Sequence, residues 1–578
     1  MAKPFESRLQ DLVYNVEVGV GLILIKIFLY VLFALACGFI YVGTQFNSFT
    51  HSEAMEQAQL ARSFAETNQL TTKVVRPSSM RHLIENVLRE GTPAHRNPRI
   101  DDHPDIRHAP GFPVVIGTVF KVLKPDFTGP RSSGVKHAPE QIVVSVNAFF
   151  GLLAGLMLYL TARRLFDPKV AIITSTAFFL SNALWSSAIT GLPTTLAMFL
   201  MMAMFYSLLV ASTNRREGHS LARWLVPFVF AVLSGGALMY ATYSAIAVVL
   251  PAFLFAGLSM GRRSWLVASL WLVLVLGLFT PWILRNLKVA GTPFGMAPQI
   301  ALTDSSLFPK NSYDRSLVYD VPKADKISTH VRRGFVTAFP DNFRQATQGA
   351  GDGILSALFV ATLFYAFSRR EVNHLRWAVL LGIVLLVSAA SLFGAYTKTC
   401  LLLMLPFATM YGVAFFNLLL DRLNIRVQIL NAALTGLVLA INAVPLIFTM
   451  VAKSPPSAYP PYNPAWITSI NGILRDKEMV CTDIPWATAW YGNRNSLLLP
   501  ATMDQFYEIY DTTKRISGLY ITTVTRDGRF VSDLLTGADR SWFQLNLGQI
   551  PNDFPLKEAF PLGNADQVFF TDRRPGAN

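Results

Sequence analysis

Apolar residues along the chain come in runs near 20 residues long, separated by short polar or basic stretches. About 20 helical residues cross the hydrocarbon core of a bilayer, so each run reads as a membrane-spanning helix. Eleven are read, at roughly 19–44, 141–161, 169–187, 193–211, 224–240, 243–260, 264–283, 354–368, 377–394, 400–420 and 429–451. The run at 354–368 is the shortest of them. The first follows a lightly charged head (Lys3, Arg8) with no small-residue cleavage site, the pattern of an uncleaved signal anchor.

Loop charge sets the orientation. Arg163, Arg164 and Lys169 lie between spans two and three, and Arg215, Arg216 and Arg223 between four and five. Arg262 and Arg263, then Arg369, Arg370 and Arg376, then Arg422 and Arg426 mark the next alternate loops. The short loops between them hold no Lys or Arg, except the turn 395–399 with its single Lys398. Basic loops stay cytoplasmic, which puts the N-terminus inside and the C-terminus outside. Three large pieces, 45–140, 284–353 and 452–578, then share the outer face. Two domains follow: a membrane domain over 1–451 and a periplasmic α/β domain over 452–578.

Composition agrees. Of 578 residues, 52 % are hydrophobic and only 15 % charged, too few to cover a soluble surface or to sustain disorder. The net charge of +14 is spread among the inner loops and forms no basic stripe, which excludes nucleic acid as the partner. Three cysteines with no CxxC or Cys/His cluster call for neither a disulfide framework nor structural zinc.

The outer pieces carry the candidate chemistry. Residues 53–66 read as an amphipathic helix on the outer membrane surface, with Glu53 in its first turn. Thr50-x-x-Glu53 has capping-box spacing, so the carboxylate is either a helix cap or a functional acid, and Glu56 reads as solvated. In His103-Pro104-Asp105-Ile106-Arg107-His108-Ala109-Pro110 the prolines hold the histidines in extended backbone. Glu53, His103 and His108, with Asp105, are the groups a divalent cation would use, although their spacing matches no recognised ligand signature. Arg285 and Lys398 are the remaining outer cations. In the tail, MVCTDI, SLLLP, LYITTV and QVFFTD read as strands and MDQFYEIYDTTKR as a helix. Trp486, Trp490 and Tyr491 read as core of that small domain. No Walker A, dinucleotide-binding or Gly-x-Ser-x-Gly pattern is present.

SEAMEQAQLARSFAETNQLTT, HAPGFPVVIGTVFKVL and PWILRNLKVAGTPFG, in that order, resemble the GT-C superfamily of membrane glycosyltransferases, its protein mannosyltransferase and aminoarabinose transferase branch above all. The resemblance covers roughly residues 20–420. It implies a GT-C-like fold, a polyprenyl-phosphate-linked sugar donor of the undecaprenyl type, and a glycan, lipid or protein acceptor. Aligned on Ala58-Gln59-Leu60-Ala61-Arg62, it puts Glu53 on the family's first-loop catalytic acid, a general base for transfer with inversion. It puts His108 on the basic residue before the family's proline pair, and it implies substrate contacts for Arg62, Tyr243, Arg285 and Lys398. A bacterial inner membrane is the implied location.

The chain departs from the family at Ala188–Thr195, where a second acid is usual and none stands, and at His108-Ala109-Pro110, which lacks the first proline. A second class stays open on that account: a non-catalytic membrane protein that binds or moves polyprenyl lipids, or scaffolds an envelope complex.

Overall fold

The computed structural model describes residues 20–89, 100–130, 132, 135–261, 263–300, 303, 307, 308, 311–318, 324–349, 353–393, 401–423, 427–452, 462–526, 540–563 and 566–573. Among them, eight helices are long and apolar enough to cross a membrane. They are α1 (Val20–Gln45), α5 (Ala138–Leu165), α8 (Thr194–Arg216), α9 (Leu221–Ala241), α11 (Ser264–Ala290), α13 (Arg370–Phe393), α14 (Leu405–Arg422) and α15 (Gln428–Val451). Other helices used below are α2 (Ser52–Thr67), α3 (Pro77–Arg89), α4 (Gly111–Leu123), α6 (Pro168–Phe179), α7 (Asn182–Ala188), α10 (Ile246–Ser259) and α12 (Ile354–Thr362).

Three of the eleven expected spans are not single long helices. The run at 169–187 is α6 and α7, bent by 53° at the break between them. The Trp185 indole N–H donates 2.7 Å to the Phe179 carbonyl there and satisfies a backbone acceptor that the break would otherwise leave bare. The run at 243–260 starts after Thr242, whose extended backbone ends α9, and becomes helical through a short 3₁₀ turn into α10. The run at 354–368 is helical only over the nine residues of α12, where the Arg376 guanidinium donates to the carbonyls of Thr362 and Tyr365.

The basic loops do converge on one end of the bundle. Arg369 donates 3.2 Å to the Arg164 carbonyl, Arg164 reaches Asn214 at 3.4 Å, Arg216 pairs with Glu371, and Arg422 reaches the Tyr365 hydroxyl at 3.3 Å.

At the opposite end, the tail forms the expected strands: β2 (Met479–Thr482), β3 (Asn495–Leu498), β4 (Ile516–Ile521) and β6 (Gln567–Thr571), with β5 (Glu558–Leu562) beside β6 and a helix at Met503–Thr512. A further strand, β1 (Val74–Val75), comes from the segment between α2 and α3. The sheet order is β1-β3-β2-β4-β6-β5, parallel from β1 to β4 and antiparallel beyond. The Ser496 N–H donates 2.7 Å to the Lys73 carbonyl and extends that pairing by one bond.

The aromatics of the tail serve this junction. Trp490 and Tyr491 are buried, and Trp490 packs on Phe49, Phe127 and His137 of the first loop rather than on tail residues alone. Its indole N–H donates 2.9 Å to Glu140, at the start of α5, and the other oxygen of that carboxylate accepts the Phe49 N–H at 3.2 Å.

Helix α2 lies inside this assembly, not on the membrane surface. Ala54 through Ala61 are all buried, under α4 on one side and the helix Pro485–Gly492 on the other. Gly117 makes the α4 contact this close, because a Cβ there would stand 2.6 Å from the Ala61 carbonyl oxygen.

Glu140 is fully buried and holds two donors from separate parts of the chain. Glu140→Ala leaves both unpaired, an expected loss of about 2–4 kcal/mol, seen as a lowered Tm of the detergent-solubilised full chain. An unchanged Tm would mean the junction does not depend on this carboxylate.

Candidate active site

A cavity of about 460 Å³ opens where α2, the 105–110 turn, the α9–α10 junction and α13 meet. Its polar lining includes Glu53, Gln57, Arg107, His108 and Tyr243. Its apolar lining includes Ile246, Ala247 and Leu250 from α10 and Leu385, Leu386 and Ala389 from α13.

Helix geometry puts Glu53 and Gln57, four residues apart, on one face of α2. The Gln57 amide N–H donates 2.7 Å to one carboxylate oxygen of Glu53. The carbonyl oxygen of Gln57 is buried with no partner. Helix α2 begins at Ser52 with His51, not Thr50, as N-cap, so the Thr50-x-x-Glu53 spacing is one residue out of capping-box register, and Glu53 stands in the first turn at the cavity.

His108 is held from several sides. Its Nδ1 lies 3.1 Å from Asp105 Oδ1, and its backbone N–H donates 3.0 Å to Asp105 Oδ2. Its Nε2 is 3.5 Å from Glu56 Oε2. Tyr243 donates 3.2 Å to the His108 carbonyl and accepts the Trp282 indole N–H at 2.8 Å. Arg285 donates 2.5 Å to the Asp105 carbonyl while its guanidinium lies 4.7 Å over the Trp282 ring.

The electrostatics follow from these contacts. Burial works against a charged His108, yet the Asp105 carboxylate, with Glu56 and Glu53 beyond it, raises its pKa above the usual histidine value. Burial would likewise raise Asp105, but the His108 imidazolium and its hydrogen bonds outweigh that and hold the carboxyl below its usual range. The contact between them thus favours the protonated imidazole and the ionised carboxyl, and His108 lies on the cavity wall.

Of the expected site residues, Glu53, His108 and Tyr243 line the cavity. Arg285 stands behind the wall and braces the 105–108 turn. Arg62 is elsewhere, 2.8 Å from Glu66 and over the Phe127 ring at 4.6 Å, because its place on α2 faces away from Glu53. Lys398 lies outside the described residues.

His103 is buried away from the cavity, 3.1 Å from the Ser79 hydroxyl, and burial drops its pKa to about 4. Glu53, His103 and His108 do not come together, and among the described residues no three His, Cys, Asp or Glu gather as a metal site. The donor set therefore does not fit a resident divalent cation.

Glu56, expected to be solvated, is 4 % exposed and pairs with Arg76. Gln57 and Arg107 were not singled out from sequence, although Gln57 stands one helical turn after Glu53 and Arg107 precedes His108. The partner that buries Glu56 is 20 residues away, and no local pattern points to it.

No family model matches the sequence, and no curated protein matches it. Solved structures do. ArnT from Cupriavidus metallidurans, bound to undecaprenyl phosphate, is similar over 95 % of this chain and 98 % of its own, at 12 % identity and a TM-score of 0.54. Its apo form has a TM-score of 0.53 at 11 % identity, over 95 % of this chain and 98 % of its own. The oligosaccharyltransferase AglB from Archaeoglobus fulgidus, in complex with an inhibitory peptide and a dolichol-phosphate, is similar over 96 % of this chain and 75 % of its own, at 13 % identity and a TM-score of 0.51. At such identities the fold is what is shared: this chain has the fold of the GT-C membrane glycosyltransferases.

The Asp105–His108 pair dictates a pH signature. A raised histidine pKa stabilises the fold fully below the unfolded value of about 6.5, and this is lost as pH rises through the folded value. A lowered carboxyl pKa stabilises above about 3.9 and is lost as pH falls through the folded value. The Tm gap between wild type and Asp105→Asn is therefore expected to be widest between these limits and to narrow on both sides. A gap independent of pH would contradict the charged pair.

Proposed function

We propose that this chain is a membrane glycosyltransferase that moves a sugar from a polyprenyl-phosphate donor to an acceptor at the outer face of a bacterial inner membrane. The observation that carries the reading is the cavity that joins the Glu53 carboxylate, the His108 and Arg107 cations and an apolar wall from α10 and α13. The GT-C fold supports it, as do the lipid phosphates bound by the two similar proteins.

An apolar wall facing a membrane suits a polyprenyl chain, and the cationic edge suits its phosphate. The acceptor hydroxyl gives its proton to Glu53 as its oxygen bonds to the anomeric carbon. The bond from that carbon to the phosphate oxygen breaks from the opposite face, and configuration inverts. The lipid phosphate leaves with the electron pair. Its growing charge meets the His108 imidazolium and Arg107, which stabilise the transition state more than the ground state. Asp105 keeps His108 charged, Arg285 and Tyr243 hold the turn that carries it, and Gln57 orients Glu53. No step is assigned to a metal ion.

The basic end of the bundle is cytoplasmic in this reading, and the end bearing the cavity and the sheet is periplasmic. The C-terminal α/β region of 452–578 then covers the cavity end of the membrane domain of 1–451. The Glu53-bearing helix is packed directly beneath it.

Lipid mass spectrometry on a null strain expressing wild type or Glu53→Gln tests the reading. The variant keeps the shape and loses the base, so a fall in transfer of about 10²–10⁴-fold and accumulation of a sugar-loaded polyprenyl phosphate are expected. Near-wild-type transfer would reject Glu53 as the base, and identical lipid profiles in all strains would favour the scaffold reading.

A second expectation concerns Gln57→Leu, which removes the donor to Glu53. It should lower kcat about tenfold and leave donor KM nearly unchanged, because the amide orients a reacting group rather than binding the lipid. A change confined to KM would make Gln57 a donor contact instead.

A further inference from the structure

A groove of about 580 Å³ runs inward from the basic end of the bundle and shares no lining residue with the cavity that holds Glu53. Every residue that lines it belongs to α5, α8 or α9. Met157, Phe199, Val210, Val226, Pro227 and Phe230 make the lining largely apolar, and Tyr206, Ser207 and Ser234 add hydroxyls. Arg223, in the first turn of α9, adds a cation. Val226 and Phe230 are more than half exposed, so the groove is open along one side. All three helices are long and apolar enough to span a membrane, and the medium on that side is lipid.

The place of Arg223 follows from the sequence. Pro227 has no N–H, so α9 cannot give the Arg223 carbonyl its usual donor four residues on. The Asn214 amide, in the last turn of α8, donates to it instead at 2.8 Å. That bond ties the two helix ends together and sets Arg223 at the mouth, while Pro227 lines the groove behind it. The Asn214 oxygen accepts Arg164 at 3.4 Å, and the Arg215 guanidinium lies 5.4 Å over the Trp224 ring. Glu217, the one acid in the turn between α8 and α9, is 3.0 Å from His219. Arg164, Arg215 and Arg223 together make the mouth cationic.

Length selects the ligand. Arg223 and Ser234 both line the groove and stand eleven residues apart on α9, a rise of about 16 Å. This is close to half of a hydrocarbon core of ~30 Å, which is the depth of one leaflet. A straight acyl chain matches that depth, whereas a polyprenyl chain outruns it. A guanidinium at the mouth suits the phosphate from which such a chain hangs.

We propose that this groove binds an anionic glycerophospholipid from the leaflet at the basic end, its phosphate on Arg223 and one acyl chain laid over Pro227 and Phe230. The site stands apart from the transferase reading, because none of its residues belongs to the candidate active site.

Native mass spectrometry of the detergent-solubilised full chain tests the assignment, with dioleoylphosphatidylglycerol, dioleoylphosphatidylethanolamine and undecaprenyl phosphate as probes. The first phosphatidylglycerol is expected to bind several-fold more tightly than phosphatidylethanolamine. Arg223→Gln should weaken that step about tenfold, the worth of a hydrogen bond to a charged group, and Arg223→Lys should retain most of it. Ala203→Phe, which fills the groove from a half-buried position, should abolish the tight step with every arginine in place. Undecaprenyl phosphate should leave the phosphatidylglycerol adduct bound; its displacement in wild type would give the groove to a polyprenyl lipid and overturn the assignment. Equal binding of the two glycerophospholipids, or full binding by Arg223→Gln, would mean annular lipid only. Full binding by Ala203→Phe would put the lipid elsewhere. If Ala203→Phe does not fold, the two Arg223 variants, at an exposed helix start, decide by themselves.

Discussion

The half of this molecule that holds the cavity and the sheet depends on keeping the buried guanidinium of Arg76 paired. Arg76 follows strand β1, which is hydrogen-bonded into the C-terminal sheet. It pairs with Glu56 on α2, three residues after Glu53, and lies 3.5 Å from Asp314 in the segment between α11 and α12. Asp314 also takes Arg107 at 2.7 Å, and its neighbour Arg315 donates 2.9 Å to the Leu499 carbonyl beyond β3. Buried charges are costly unless paired on every side, and removing one partner costs more than the pair contributes. The network is therefore close to all-or-none. It joins the first loop, the second loop and the C-terminal sheet around the helix that carries the candidate base.

A second constraint runs through the cavity wall. Glu53 and His108 share a cavity with an apolar lining, and each has a hydrogen-bonded neighbour: Gln57 for the carboxyl, Asp105 for the imidazole. In a low-dielectric setting such hydrogen bonds orient the groups they join. The Asp105 carbonyl is in turn held by Arg285 near the C-terminal end of α11. The arrangement thus passes from helix ends, through a proline-bounded turn, to two side chains at the cavity.

The C-terminal sheet has its own polar centre that does not serve the cavity. Between β2 and β4, where the strand order reverses and open α/β sheets commonly bind ligands, the buried Asp483 carboxylate accepts the Thr522 N–H at 3.0 Å and hydroxyl at 3.0 Å and the Thr525 N–H at 3.1 Å. The donors there are used by the protein itself.

The sequence by itself determined the features that depend on local composition. Apolar length marked the long helices, basic loops marked one end of the bundle, and short apolar runs marked four of the five strands of the tail. Short ordered motifs also pointed to the GT-C fold, and it was the resemblance they carry that singled out Glu53 and His108. Tertiary structure decided whatever needed a distant partner. Three apolar runs are broken or shortened because backbone groups at their ends are satisfied by Trp185, Arg376 and a 3₁₀ turn, which hydropathy does not register. Strand β1 is two residues long, too short to read from alternation, and exists because β3 is beside it. Glu56 looks solvated in sequence and is buried by Arg76, while Arg62, on the same helix, is turned toward Phe127 and away from the cavity. Local pattern reports which segments leave water; which charge meets which, and so which acid faces a substrate, is decided only when distant segments pack.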